Sequence, residues 1–551
     1  MKSHLKFFLI ILLTLGCSQG KIKNRHIRAA QKINGLSFSR KEINTMRAYL
    51  NENKGGYDSM RKFSLDYSVS PALYFDPRPE GFQIRKVGDS SCWDFPQAIS
   101  VPESETELAF MTIGQLSSLI RNKKITSTEL TKIYLSRIKQ YNDTLLAVVT
   151  VTEDLALQQA SKADEEIANG IYRGPLHGIP YGVKDLFAVP GYPTTWGAEP
   201  YQNQLLQETA TVVKTLEEAG AVLVAKLTSG ALARGDVWFG GQTKNPWDLK
   251  QGASGSSAGS ASATAAGLVA FSIGTETMGS ILSPSTRCGV TGLRPSFGAV
   301  SRSGAMTLAW SMDKVGPICR SAQDCAIVFA LIKGKNKMGE TDRSVINYPF
   351  SFNPPTDLSA YKIGYTKKLF DADTSRIGKI GVETVDKLRS LGADLQEISL
   401  PEDVPYPVFD VVLRAEAGAF FDELVRTNQD RLLSEQDADS RANSLRQARF
   451  IPAAEYLQAN RYRKILIEKF SKLISDYDFI VVPTNGKNHL LITNMTGHPA
   501  ISIPTGWDDK GHATSIVLIG NLYNEGPMLE AAHLFEKAFS SRKWPEYFSK
   551  K

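Results

Sequence analysis

From Gly252 to Ser262 the chain reads Gly-Ala-Ser-Gly-Ser-Ser-Ala-Gly-Ser-Ala-Ser, with no side chain larger than a hydroxymethyl group. Composition alone would make this a flexible linker. The next residues argue against that. Ala263-Thr-Ala-Ala-Gly-Leu-Val-Ala-Phe-Ser-Ile-Gly274 supplies small helix-compatible residues and then an apolar run of strand length, and Gly274-Thr-Glu-Thr-Met-Gly279 reads as a tight turn. A disordered linker does not lead into a buried helix and strand. Small residues in such a place let one backbone approach another and leave a hydroxyl or amide open to a ligand.

Two serines share this setting. Ser280 stands 24 positions after Ser256, and Lys184 stands 72 positions before Ser256 in Gly178-Ile-Pro-Tyr-Gly-Val-Lys-Asp185. A single lysine is usually a solvated charge and a single serine a cap or turn, so the weight rests on their joint occurrence. Residues 252 to 318, through Gly274-Thr-Glu-Thr-Met-Gly-Ser-Ile281, Cys288-Gly-Val-Thr-Gly-Leu-Arg-Pro295 and Met312-Asp-Lys-Val-Gly-Pro-Ile318, resemble the defining segment of the amidase signature family. Gly174-Pro-Leu-His-Gly-Ile-Pro180, Asn245-Pro-Trp-Asp248, Tyr477-Asp-Phe-Ile-Val-Val-Pro-Thr484 and Thr496-Gly-His-Pro-Ala-Ile-Ser-Ile-Pro504 follow the family's order, and the similarity spans roughly residues 105 to 540.

The resemblance implies a mechanism and a fold. Ser280 matches the nucleophile, Ser256 the bridging serine that relays a proton, and Lys184 the base. A lysine accepts a proton at neutral pH only if burial or a nearby positive charge lowers its pKa by several units. Backbone N–H groups of Thr277, Met278 and Gly279, with Ser280, are placed to meet an oxyanion, and no metal or cofactor is called for. The expected fold is α/β, a central mixed sheet flanked by helices, with a helical N-terminal extension. Around the nucleophile the chain departs from the family's pattern: Glu276, Met278 and Leu282 replace an aspartate, a glycine and an arginine. Glu276 then needs another partner, for which Arg287 is the candidate, and Met278 lacks glycine's freedom at positive φ.

A rival reading lies in Gly255-Ser-Ser-Ala-Gly259, which satisfies the pattern of a nucleophile elbow centred on Ser257. An elbow follows a buried strand, whereas Asn245 to Gln251 is polar and broken by proline. His489, His498, His512 and His533 are the available histidine bases, none in a distinctive setting.

The N-terminus bears on where the chemistry happens. Met1 to Lys6 is a basic start, Phe7 to Leu15 is apolar but too short to span a bilayer, and Leu15-Gly16-Cys17 resembles the end of a bacterial lipobox. The implied organisation is a lipoprotein-type signal at 1–17 ending at lipidated Cys17, an extension at 18–104 and an amidase domain at 105–545. The implied location is extracytoplasmic and periplasmic, on a membrane through the lipid anchor. Export would exclude the glutaminase subunit of tRNA-dependent amidotransferases and favour a free-standing hydrolase of a small-molecule amide. That glutaminase stays as the alternative, with a non-catalytic ligand-binding lipoprotein as a third reading.

The formal net charge of +7 reads as spread along the chain without a dense basic run, so nucleic-acid binding has no support. Pairing among Cys92, Cys288, Cys319 and Cys325 does not follow from spacing. Ser37 to Ile43 offers a serine cap for a helix reaching about Asn53, and Gly334 to Pro355 reads as a surface connection. Residues 405 to 470 carry helical patterns without a landmark; in this family such a stretch often borders the substrate channel.

Overall fold

The apolar runs pair into one eleven-stranded sheet. In chain order its strands are β1 (Val148–Val151), β2 (Pro180–Lys184), β3 (Val222–Leu227), β4 (Phe271–Glu276), β5 (Thr291–Arg294), β6 (Lys314–Cys319), β7 (Lys362–Tyr365), β8 (Asp394–Glu397), β9 (Phe479–Pro483), β10 (Ala500–Trp507) and β11 (Ala513–Gly520). Across the sheet they run β1-β3-β2-β4-β6-β5-β10-β11-β9-β7-β8. The structure is a computed structural model that describes residues 21–63, 65–334, 342–486, 488–539 and 543–549.

Parallel pairing joins β3 to β2 and β2 to β4, whereas β4, β6, β5, β10, β11 and β9 pair antiparallel in succession. The sheet is therefore mixed, as the sequence led us to expect. Strands β2, β3, β4 and β6 are buried along their whole length. That explains why they read as continuous apolar runs rather than alternating ones: helices cover both faces. Tyr181 stacks on Phe271 with ring centroids 5.3 Å apart, and Val183, Ile273 and Leu293 extend the same core.

Helix starts follow local chemistry. Helix Ser127–Leu145 opens with a capping box in which Thr126 accepts from the Glu129 amide and Glu129 accepts from the Thr126 amide. Helices Asp410–Phe420, Arg441–Ala448 and Ala453–Ile474 occupy the stretch expected to be helical. Gly334 to Pro355 departs from expectation. Its described part lacks helix and strand, yet Tyr348, Phe350 and Phe352 are buried in the main core, so three aromatic rings hold the connection down on the protein.

The chain divides into a small unit ending at Asp66 and a large one beginning at Tyr67. Among its described residues the small unit carries helices Asn24–Ile33 and Arg40–Met60. Ser39 and Glu42 form the capping box of the second helix, which continues past Asn53 through Gly55 and Gly56. Cys17 and the rest of the expected signal segment lie outside the described residues.

Candidate functional site

Lys184 is the last residue of β2, and Glu276 the last of β4, its parallel neighbour. Two carboxyl ends therefore open at the same edge of the sheet, where ligands sit in α/β folds. The Lys184 side chain is wholly buried; its Nζ donates to Ser256 Oγ at 2.8 Å, Thr275 Oγ1 at 3.0 Å and Ser257 Oγ at 3.1 Å. Burial lowers its pKa to about 7, against the pull of Asp313 and Glu276 in the other direction.

Ser256 and Ser257 precede the small-residue helix Ala258–Ala265. The Gly255–Ser256 peptide bond is cis. A Cβ on Gly255 would stand 1.8 Å from the Gly235 carbonyl oxygen, so backbone packs on backbone there and only glycine fits. Ser257 N donates to Ser280 O at 3.1 Å, tying the two serine segments together. The Ser257 hydroxyl is fully buried and donates to Thr275 O at 3.0 Å. His489 and His498 bond to Thr484 and Thr496, and His512 to Gln251, so none of these meets Ser257. His533 packs its ring edge-on to Phe352. The elbow reading loses its base.

Beyond β4 the chain turns through Thr277, Met278, Gly279 and Ser280 before helix Leu282–Cys288. The positive φ of this turn, 93°, falls on Gly279, while Met278 stays outside the left-handed region. The methionine that replaces glycine is thus conformationally unstrained, and it packs beside Leu282 in an apolar cluster with Met312 and Ile492. Among the described residues, the N–H groups of Met278, Gly279 and Ser280 have no acceptor within the chain. Ser280 is half-buried, and with Ser256, Thr277 and Met278 it lines a cavity of 510 Å³.

Glu276 organises this turn. One carboxylate oxygen accepts from the amides of Ile281 at 2.9 Å and Leu282 at 3.0 Å; the other accepts from Arg294 Nη1 at 2.8 Å and Asn494 Nδ2 at 2.9 Å. Burial alone would push the carboxyl up, but the Arg294 charge and these donors outweigh it and hold it at about 2. The expected partner, Arg287, instead donates to Gln251 Oε1. Arg287 lies on the short helix after the nucleophile, whereas Arg294 ends β5, one strand from the β6 residue that pairs with Glu276.

Sequence reasoning missed further supports. Asp313 accepts from Thr277 Oγ1 at 2.6 Å and from the Leu308 and Ala309 amides, fixing the start of the turn. Its signal was its place inside the Met312-Asp-Lys landmark. Asp185, next to Lys184, forms a buried ion pair with Lys226 at 2.7 Å. Arg441, from the helical stretch without motifs, donates to the carbonyls of Leu232 and Ala233, and Arg234, Arg414 and Asp439 line the cavity with it. Among the described residues no cluster of three or more His, Cys, Asp or Glu could hold a metal. Cys92, Cys288, Cys319 and Cys325 are all free thiols.

The chain matches the family model described as Amidase over residues 129–493. It is 33% identical over 470 residues to the A-subunit of the Nitrosomonas eutropha glutamyl-tRNA(Gln) amidotransferase, covering 78% of this chain and 96% of that protein. The corresponding protein of Carboxydothermus hydrogenoformans is 32% identical, covering 78% and 98%. Among solved structures, native peptide amidase from Stenotrophomonas maltophilia superposes with a TM-score of 0.71 at 26% identity, covering 80% of this chain and 99% of that one. The A-subunit of the Thermotoga maritima glutamyl-tRNA(Gln) amidotransferase gives 0.65 at 25% identity, covering 81% and 98%.

Proposed function

The chain belongs to the amidase family and is an amidase-type enzyme acting on amide C–N bonds, and from that premise we propose that Ser280, Ser256 and Lys184 cleave the amide through an acyl-enzyme. Ser280 Oγ attacks the amide carbonyl carbon, and its proton passes through the Ser256 hydroxyl to the neutral amine of Lys184. The carbonyl oxygen, now negative, is met by N–H groups of the turn from Thr277 to Ser280, of which those of Met278, Gly279 and Ser280 have no acceptor among the described residues. The C–N bond breaks, and the departing nitrogen takes its proton back along the same relay. Water then attacks the ester on Ser280 to release the carboxylate. The observation that carries this reading is the 2.8 Å contact between a wholly buried lysine amine and Ser256, on the wall of a cavity that Ser280 also lines.

A fluorophosphonate, which modifies activated serines whatever the natural substrate, tests it. Labelling is expected at Ser280 and is expected to disappear in Lys184→Ala. Labelling at Ser257, or none at all, would sink the assignment.

The charged side chains among the cavity's lining, Arg234, Arg414 and Asp439, favour a short polar amide over a long acyl chain. A second reading, a glutaminase that hands ammonia to partner proteins, has its own support in the amidotransferase A-subunits that match almost end to end. It is better supported by those relatives than the free-standing amidase is. Hydrolysis of glutamine by the purified chain alone, set against hydrolysis of simple amides, separates the two, as does copurification of partner proteins. Lipidation of Cys17 and an extracytoplasmic location belong to the free-standing reading. Mass spectrometry of the N-terminal peptide from a membrane fraction checks both, and an unmodified Met1 end would remove them.

A further inference from the structure

The even charge read along the whole chain conceals an asymmetry. Residues 21–66 hold eleven Lys or Arg against four Asp or Glu, a net +7 that equals the formal net charge of all 551 residues. Nine of those eleven cations, all but Lys54 and Arg61, have no carboxylate within ion-pair distance among the described residues, and all nine are exposed. The first helix is strongly basic, with Arg25, Arg28 and Lys32.

The same unit displays large apolar side chains to solvent. Tyr49, Tyr57 and Met60 are exposed on the second helix, and their spacing of eight and eleven positions puts them within one quarter of its circumference. Ile33, Leu36 and Phe38 are exposed at or after the end of the first helix, and Phe63, at 80% exposure, and Leu65, at 73%, follow the second one. Only Ile27 and Ile43 are fully buried on the two helices. A folded domain that keeps its oil inside does not look like this; an element that seats rings at the lipid headgroup level and lysines among phosphates does.

We propose that the helical unit up to Asp66 is a membrane-surface module that binds bilayers containing anionic lipid. Its basic side chains pair with lipid phosphates, while Tyr49, Tyr57, Met60 and Phe63 enter the headgroup boundary. Nucleic acid would satisfy the charge and could stack on the rings, but it gives no use to Ile33, Leu36, Met60 and Leu65, which an acyl boundary does. Upstream, Phe7 to Leu15 is itself apolar, so the unit continues a membrane-directed segment. The inference goes beyond the anchor reading, because it requires neither Cys17 nor an acyl group on it. No described helix is long and apolar enough to cross a bilayer.

The test is flotation of the chain beginning at Ser18 with vesicles of phosphatidylcholine alone or mixed with phosphatidylglycerol, at low and high salt. Binding is expected only to the mixed vesicles and is expected to fall with salt. Reversing four exposed charges (Arg25→Glu, Arg28→Glu, Arg40→Glu, Lys41→Glu) should weaken it roughly tenfold or more. Replacing Tyr49, Tyr57 and Phe63 by Ser should weaken it while keeping the salt dependence. Both variants should retain the amidase activity and fluorophosphonate labelling of the parent, which shows that the large unit folds, and the parent's helical circular dichroism, which shows that the two helices do. The proposal is overturned by equal flotation with neutral vesicles, by no flotation, or by binding that survives charge reversal. It is also overturned if the parent prefers RNA or DNA to anionic vesicles, or forms a stable oligomer through this unit that no longer floats.

Discussion

At the scale of single residues, Lys184 joins function to a penalty in stability. In the proposed mechanism its amine must be neutral to accept the Ser280 proton, and burial brings its pKa to about 7. The reactive fraction therefore rises with pH, so kcat/KM is expected to climb through about pH 7 and level off above it. Lys184→Arg, which stays charged, should remove this limb and most of the activity, roughly 100- to 10,000-fold. A parent profile without a limb near 7 would assign that titration elsewhere. The unfolded lysine titrates near 10.5, so below that pH the unfolded chain keeps a proton that the folded chain holds less tightly. Folding is penalised at neutral pH as a result, by several kcal/mol at most. Lys184→Met should accordingly be inactive yet melt no lower than the parent. A clear fall in Tm would show instead that the amine's bonds to Ser256, Ser257 and Thr275 hold the segment together.

At the scale of elements, the active turn is held from outside the segment that identifies it. Leu232 and Ala233 have φ of 49° and 60°, left-handed values that suit glycine and carry strain of about 1–3 kcal/mol each. Arg441 spans both carbonyls, Nε to Leu232 at 3.0 Å and Nη2 to Ala233 at 3.1 Å, and Gly235 of the same loop abuts Gly255. Arg441 is thus a positioning residue for Ser256. Arg441→Met should lower kcat about tenfold with little change in KM, and Arg441→Lys should not rescue it, since one ammonium cannot reproduce a planar fork. A KM effect alone would make Arg441 a substrate contact. The turn was legible from local chemistry, small residues and a glycine where φ is positive, whereas Lys184 and both serines stood out only through their joint resemblance to the family's motifs. The sequence did not reveal Arg441, or Arg294 as the partner of Glu276. Those contacts depend on strand order and on a helix about 200 positions away, and no periodicity records which strand lies beside which. Helix Arg40–Met60 outran its expected end for a different reason, that Gly55 and Gly56 weaken a helix without compelling it to stop.

At the scale of the whole molecule, several buried titratable groups act on stability in one direction. Burial pushes His489 down to about 4 and His498 down to about 3 from an ordinary 6.5, so both are neutral in the fold. Between pH 6.5 and those values the unfolded chain takes protons that the folded chain refuses, and stability falls as pH falls, by roughly 3 to 5 kcal/mol for each histidine. Glu276 continues the trend. Its carboxyl is held at about 2 against an ordinary 4.5, so its contribution is complete above 4.5 and is lost as pH falls through about 2. Glu525, whose buried carboxyl is raised, works the other way. Against a total stability of about 5–15 kcal/mol, the histidines alone remove a large share by pH 4. Thermal melts followed by tryptophan fluorescence from pH 8 to pH 4 should show Tm falling steadily below pH 6.5. His498→Phe keeps the edge contact with Phe470 and removes the titration, so it should flatten the acid limb. If the parent's Tm is level across that range, the two histidines are either protonated in the fold or shielded in the unfolded chain. If His498→Phe leaves the slope unchanged, the limb belongs to His489 and the carboxylates. On the proposed mechanism, the range in which the enzyme works is bounded from below twice, by a Lys184 amine that must lose its proton near 7 and by imidazoles that the core cannot hold charged.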